Sequence, residues 1–143
     1  MEQRLFEECL AYRLSQARKS VAQWYNEHLK PLGLTATAVY AMSILDHLGA
    51  ATPTQIAKQL EVSKPTVTAL LDRMMKAGLI NRDAHSENRK LSIISLSQLG
   101  KEKSQSAFSV LKKADKQLEE LSKQNLDSLK AELKKLSGCF HDE

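Results

Sequence analysis

Residues 52–96 read TPTQIAKQLEVSKPTVTALLDRMMKAGLINRDAHSENRKLSIISL, and their punctuation decides the fold. Thr52 followed by Pro53 is a helix start: a hydroxyl able to cap, then a residue whose missing N–H costs nothing in the first turn. A short helix holding Ile56, Ala57 and Leu60 follows. Glu61-Val62 makes a tight turn. Ser63 caps a second helix with Lys64 and Pro65 in its first turn, and Val67, Leu70, Leu71 and Met74 recur at the spacing of one buried face. Ala77-Gly78 ends it, because glycine closes a helix in the left-handed conformation without strain. The period then changes. Leu79, Ile80 and Arg82 read as extended, Asp83 to Asn88 is polar, and Lys90 to Leu96 is rich in β-branched and apolar residues. Two short antiparallel strands joined by a charged loop are expected.

Working outward, the flanks read as helices. From about Glu2 to Leu29, Leu10, Leu14, Ala17, Val21 and Trp24 form an amphipathic stripe, which Pro31 and Gly33 terminate. Thr35 caps a helix with Val39, Met42, Ile44, Leu45 and Leu48. It is apolar nearly all round and is expected to be central and buried. Downstream, Ser97 caps a long helix running to about Leu121. Ser122 is expected to start a last helix with Leu126, Leu129, Leu133 and Leu136 along one side. The 143 residues suffice for one domain with accessory helices, and 42% hydrophobic with 27% charged residues is an ordinary globular mixture. No apolar run approaches the roughly 20 residues that cross a bilayer. The acids in MEQRLFEECL interrupt any signal-peptide pattern, so a cytoplasmic location is expected. Cys9 and Cys139 are too few for a disulfide framework and lack zinc spacing. The net charge of +4 is compatible with nucleic acid and decides nothing alone.

The chemistry concentrates in the second helix and the loop after it. Ser63, Lys64, Thr66 and Thr68 lie on the side opposite the apolar stripe. A helix N-terminus offers unpaired N–H groups and the positive end of a dipole, which suit a phosphate. Short polar side chains let such a helix enter a major groove about 12 Å wide and reach base edges. The loop carries Arg82, His85, Arg89 and Lys90, and an arginine on a projecting loop can enter a minor groove.

In sequence order, Leu34-Thr35, Thr54-x-Ile56-Ala57-x-x-Leu60, Ser63 to Thr68 and Leu71-Asp72-Arg73-Met74 are followed by Gly78-Leu79-Ile80-x-Arg82, Arg89 and Leu96-Ser97-x-x-Gly100. The set resembles the winged helix-turn-helix core of the MarR family of bacterial regulators. Tyr25 and the run Leu29-Lys30-Pro31-Leu32-Gly33-Leu34-Thr35 resemble the family's first helix and its exit. The resemblance implies a mainly α fold with a small β-hairpin wing. Residues 1–33 and 98–143 would supply dimerisation helices and residues 34–97 the DNA-binding domain. It further implies a homodimer on a palindromic operator, most simply a repressor, released by a small ligand or an oxidant. Ser63, Lys64, Pro65, Thr66, Thr68 and Arg73 would dock the recognition helix, and Arg89 and Lys90 would hold the minor groove and backbone. Two departures stand out. The wing carries Glu87-Asn88-Arg89 where the family usually has aspartate two residues before the arginine, and Ala69 stands where relatives often place arginine.

Each residue also has a plainer reading. Lys64, Arg73, Arg89 and Lys90 can be solvated charges, as can Lys112, Lys113, Lys116, Lys134 and Lys135. Arg82 fits a support for the wing better than a base reader. Some members of the family sense oxidants through a cysteine in the first helix with tyrosines nearby. Cys9, with Tyr12 one turn away, is the candidate here, against a small hydrophobe at an interface. Tyr12, Trp24, Tyr25, His28 and Tyr40 either line a ligand pocket between the first helices and the DNA-binding lobe or are core aromatics at helical spacing. No cofactor is implied. A helical adaptor whose winged domain binds another protein is the alternative class. An enzyme is not supported: there is no Gly-rich phosphate loop and no metal-ligand cluster, and the four histidines, 28, 47, 85 and 141, are scattered.

Overall fold

The computed structural model describes residues 5–84, 87 and 91–139. Seven helices and one hairpin follow in order: α1 (Leu5–Glu8), α2 (Leu10–Leu29), α3 (Ala36–Leu48), α4 (Pro53–Leu60), α5 (Lys64–Lys76), β1 (Ile80–Ala84), β2 (Ser92–Leu96), α6 (Gln98–Ser122) and α7 (Leu126–Gly138). The single N-terminal helix expected from Glu2 to Leu29 is interrupted. Cys9 is extended (φ −73°, ψ 136°) and sits ahead of α2. Phe6 lies outside the α2 stripe, and the break brings its ring edge-on to Tyr12 with centroids 5.0 Å apart.

The exit from α2 is held from several sides. A single 3₁₀ turn, Lys30–Leu32, ends at Gly33 with φ +70°. The Leu32 carbonyl accepts from Lys103 Nζ at 3.2 Å. Two side chains satisfy the start of α3: Thr35 Oγ1 accepts from Ala38 N, and Asn26 Oδ1, reaching over from α2, accepts from Ala36 N at 2.7 Å. Ala36, Ala38, Val39, Ala41, Met42 and Leu45 are buried. α3 is central, yet not buried all round: Tyr40 is 43% and Leu48 46% exposed. α2, α4, β2 and α6 pack on the rest of the helix and leave those two positions partly exposed.

The helix pair forms as its caps dictate. Thr52 and Gln55 make a reciprocal capping box before Pro53, an arrangement worth about 1 kcal/mol. Glu61 closes α4 in the left-handed conformation, φ 57°. Ser63 then caps α5, whose Val67, Leu70, Leu71 and Met74 are all buried. They meet Met42, Leu45 and Ile56 in one core, each large apolar side chain contributing roughly 1.5–3 kcal/mol by leaving water. β1 and β2 pair antiparallel with Ile80 opposite Leu96 and Ala84 opposite Ser92. Ala51 adds a third, one-residue strand: its N–H and C=O both pair with Ile94, at 2.9 and 2.8 Å.

The hairpin joins α6 through a tight junction. Ser97 caps α6 by accepting from Gly100 N, donates its hydroxyl to the Gly78 carbonyl at 2.5 Å and its N–H to the Leu79 carbonyl at 3.0 Å. Gly100 lies against that same Leu79 carbonyl, so closely that a Cβ there would overlap its oxygen. The last helix starts later than expected. Ser122 is the final residue of α6, Lys123 turns the chain at φ 56°, and Asn125 caps α7 by accepting from Ser128 N at 3.0 Å. Asparagine caps at least as well as serine, and the left-handed Lys123 already ends the preceding helix. No described residue of α7 is buried. Its tie to α6 is the ion pair Lys130–Asp115 at 3.0 Å, with Glu119 accepting from Leu126 N.

Candidate nucleic-acid interface

α5 presents its polar side outward. Ser63, Lys64, Pro65, Thr66, Thr68, Ala69, Asp72 and Arg73 are exposed, while the opposite side is core. The tip has internal order. Ser63 Oγ accepts from Thr66 N and lies 2.8 Å from Thr66 Oγ1, so the two hydroxyls share a hydrogen bond. One turn on, Thr68 Oγ1 donates to the Lys64 carbonyl at 3.0 Å. Arg73 stands nearer the far end of the helix, roughly 13 Å along its axis from Lys64. There it borders, with Leu34, Thr35 and Ala77, a small pocket of about 120 Å³.

The hairpin follows α5 directly. Arg82 is exposed on β1, opposite Ile94. His85, Arg89 and Lys90 fall outside the described residues. β1 and β2 lead into and out of the segment that carries them.

Of the five residues considered for a ligand pocket, Trp24 and His28 have ring centroids 4.4 Å apart, and Tyr25 and Tyr40 both lie within electrostatic reach of Asp115. Tyr12 packs on Phe6 and accepts from Gln16 Nε2. Trp24, Tyr25 and His28 instead fasten α2 to α6. Trp24 Nε1 donates to the Ala114 carbonyl at 2.9 Å, Tyr25 donates its hydroxyl to Asp115 Oδ1, and His28 bonds the Trp24 carbonyl and Gln117 Oε1. Burial and then the Asp115 carboxylate push the Tyr25 phenol far above its ordinary range. The hydrogen bond to Gln117 raises the His28 imidazole. Tyr40 lines a cleft of about 310 Å³ with Arg18, Val21, Asn26, Thr37 and Leu60. Burial raises its phenol as well.

Sequence reasoning missed Asp115, which accepts from Tyr25 through one oxygen and from Lys130 through the other. An acid set among Leu111, Ala114 and Leu118, which recur at helical spacing, was the available signal. Cys9 and Cys139 are exposed and in no disulfide. Among the described residues no group of three or more His, Cys, Asp or Glu could hold a metal ion, and no helix is long and apolar enough to cross a membrane.

A capped support helix, a tight turn, a polar-faced second helix and a hairpin tied to its end define a winged helix-turn-helix protein. Residues 34–92 match the model of the MarR family. YwoH, an HTH-type transcriptional regulator of Bacillus subtilis, is 28% identical over 134 residues, covering 94% of this chain and 84% of YwoH. YetL, an HTH-type transcriptional repressor of the same organism, is 39% identical over 49 residues, 34% of this chain and 29% of YetL. Among solved structures, the transcriptional repressor CouR bound to a 23-mer DNA duplex superposes with a TM-score of 0.82 at 25% identity, covering 97% of this chain and 99% of CouR. A cysteine-to-serine mutant of E. coli MarR complexed with operator DNA also scores 0.82, at 20% identity, covering 94% and 99%, a likeness of fold.

Proposed function

We propose that this chain is a MarR-type transcriptional regulator, a homodimeric repressor that binds a palindromic operator and is released by a small ligand or an oxidant. The observation that carries the reading is α5: a helix fixed by four buried side chains, with a capped, hydroxyl- and lysine-bearing tip left open to solvent and a hairpin directly after it. A rigid base and an accessible polar tip are what groove insertion needs. CouR and E. coli MarR, which share this fold, are seen on DNA, and CouR and YetL are repressors. Residues 34–97 would form the DNA-binding lobe, with Ser63, Lys64, Pro65, Thr66, Thr68 and Arg73 at the major groove and Arg89 and Lys90 on the wing. Residues 1–33 and 98–143 would form the dimer. Leu10, Leu14, Leu129, Leu133 and Leu136 are exposed there, more apolar surface than one chain covers. Two-fold symmetry then sets half-sites roughly 34–36 Å apart.

The cleft beside Tyr40 and Arg18 lies between α2 and the DNA-binding lobe and is the place for a ligand. Cys9, exposed at the break ahead of α2, is the place for an oxidant. Either would act by changing the separation of the two lobes, since one spacing fits both half-sites. The test is a salt titration of duplex binding. Affinity is expected to fall steeply, with a log–log slope of about −0.9 per neutralised phosphate. A flat titration, or a protein complex formed with no DNA shift at low salt, would favour an adaptor instead.

A further inference from the structure

We propose that Thr68 is a specificity-determining residue that reads an exocyclic amino group, adenine N6 or cytosine N4, in the major groove. The inference rests on the DNA-binding reading above and names what one side chain of it recognises. A hydroxyl has one proton and two lone pairs. Thr68 Oγ1 directs its proton to the Lys64 carbonyl at 3.0 Å, along the helix and away from the groove side. The side chain is exposed, so what it offers outward is lone pairs and a methyl group. Ala69 beside it has no polar atom, and Asp72, one turn further and also exposed, adds a second acceptor to the same side.

The first turn is the opposite. Ser63 and Thr66 hold one of their two hydroxyl protons between them and keep the other, and Lys64 carries only donors. α5 therefore has a donor-rich tip suited to phosphate and an acceptor face one turn later suited to bases. On the major-groove edge, adenine N6 and cytosine N4 are donors. Guanine O6 and thymine O4 are acceptors that would face the Thr68 lone pairs unfavourably.

Selecting duplexes from a random pool with wild-type protein, Thr68→Val and Thr68→Ser tests this. Valine keeps the shape and removes the lone pairs, while serine keeps the hydroxyl. Wild type and Thr68→Ser are expected to prefer adenine or cytosine at one half-site position where Thr68→Val shows no preference. Replacing that adenine by purine, or that cytosine by 2-pyrimidinone, removes only the amino group. It should weaken wild type about fivefold and Thr68→Val by less than about twofold. Identical half-sites for wild type and Thr68→Val would overturn the assignment, as would a lost preference for guanine or thymine. If wild type enriches nothing from the pool, the DNA-binding reading itself fails, and this inference with it.

Discussion

Gly100 shows how one residue's surroundings can reverse its local preference. Glycine inside a helix costs roughly 0.5–1 kcal/mol relative to alanine, so propensity alone favours Gly100→Ala. The Leu79 carbonyl occupies the space the new methyl needs, and a backbone atom cannot swing aside as a side-chain end can. The overlap dominates, and Gly100→Ala is expected to lower stability by roughly 2 kcal/mol net, read by thermal or urea unfolding. The helix cap at Ser97 was legible from sequence, and the crowding at Gly100 was not, because it depends on a carbonyl 21 positions away. His28 is the other residue with a measurable consequence. Its two ring nitrogens face the Trp24 carbonyl and Gln117 Oε1, and only the imidazolium can donate to both. Its pKa is raised above 6.5, so the folded state holds the proton more tightly than the unfolded chain. The stabilisation is full below the unfolded value and is lost as pH rises through the folded one. The stability gap between wild type and His28→Gln should therefore be wider at pH 5.5 than at pH 8 in urea titrations. A gap independent of pH would mean the imidazolium is not favoured.

Elements whose ends carry caps were legible, and those shaped by distant partners were not. Thr35, Thr52, Ser63 and Ser97 each announce a helix and each accept the expected backbone N–H. The four buried positions of α5 followed from their spacing, because a helix with one apolar face has one way to lie on a core. The break at Cys9 was hidden, since periodicity counts faces and cannot register that Phe6 gains Tyr12 by leaving the helix. Ala51 was hidden as well: one residue pairing with Ile94 leaves no alternating pattern. Of the candidate site, the α5 tip was readable because exposure follows from the same periodicity. For Trp24, Tyr25 and His28 helical spacing left pocket and core both open, because what they face is decided by α6. The hairpin carries the prediction at this scale. Arg89→Ala should weaken operator binding by roughly 1–3 kcal/mol while leaving the unfolding midpoint unchanged. Wild-type affinity in gel shift or anisotropy would mean the wing does not engage DNA.

The whole molecule is two unlike halves. The winged portion buries its core, whereas α7 buries nothing among the described residues and leaves Leu129, Leu133 and Leu136 in a row on one side. In the dimer proposed above, a second copy would cover such a row. Leu129→Glu combined with Leu133→Glu should shift sedimentation from dimer to monomer and abolish tight binding to a two-half-site duplex while leaving the hairpin and α5 folded. A dimer that survives both changes would place the interface elsewhere. α6 reaches from one half to the other. At about 1.5 Å per residue its 25 residues extend about 37 Å. One end is clamped to the link between α5 and β1 by Ser97 and Gly100, and further along it grips α2 and, through Asp115, α7. It thus works as a crank with no slack at the strand end. A rocking of about five degrees about the α7 end would carry the hairpin sideways by about 3 Å, enough to pull any hydrogen bond it makes out of range.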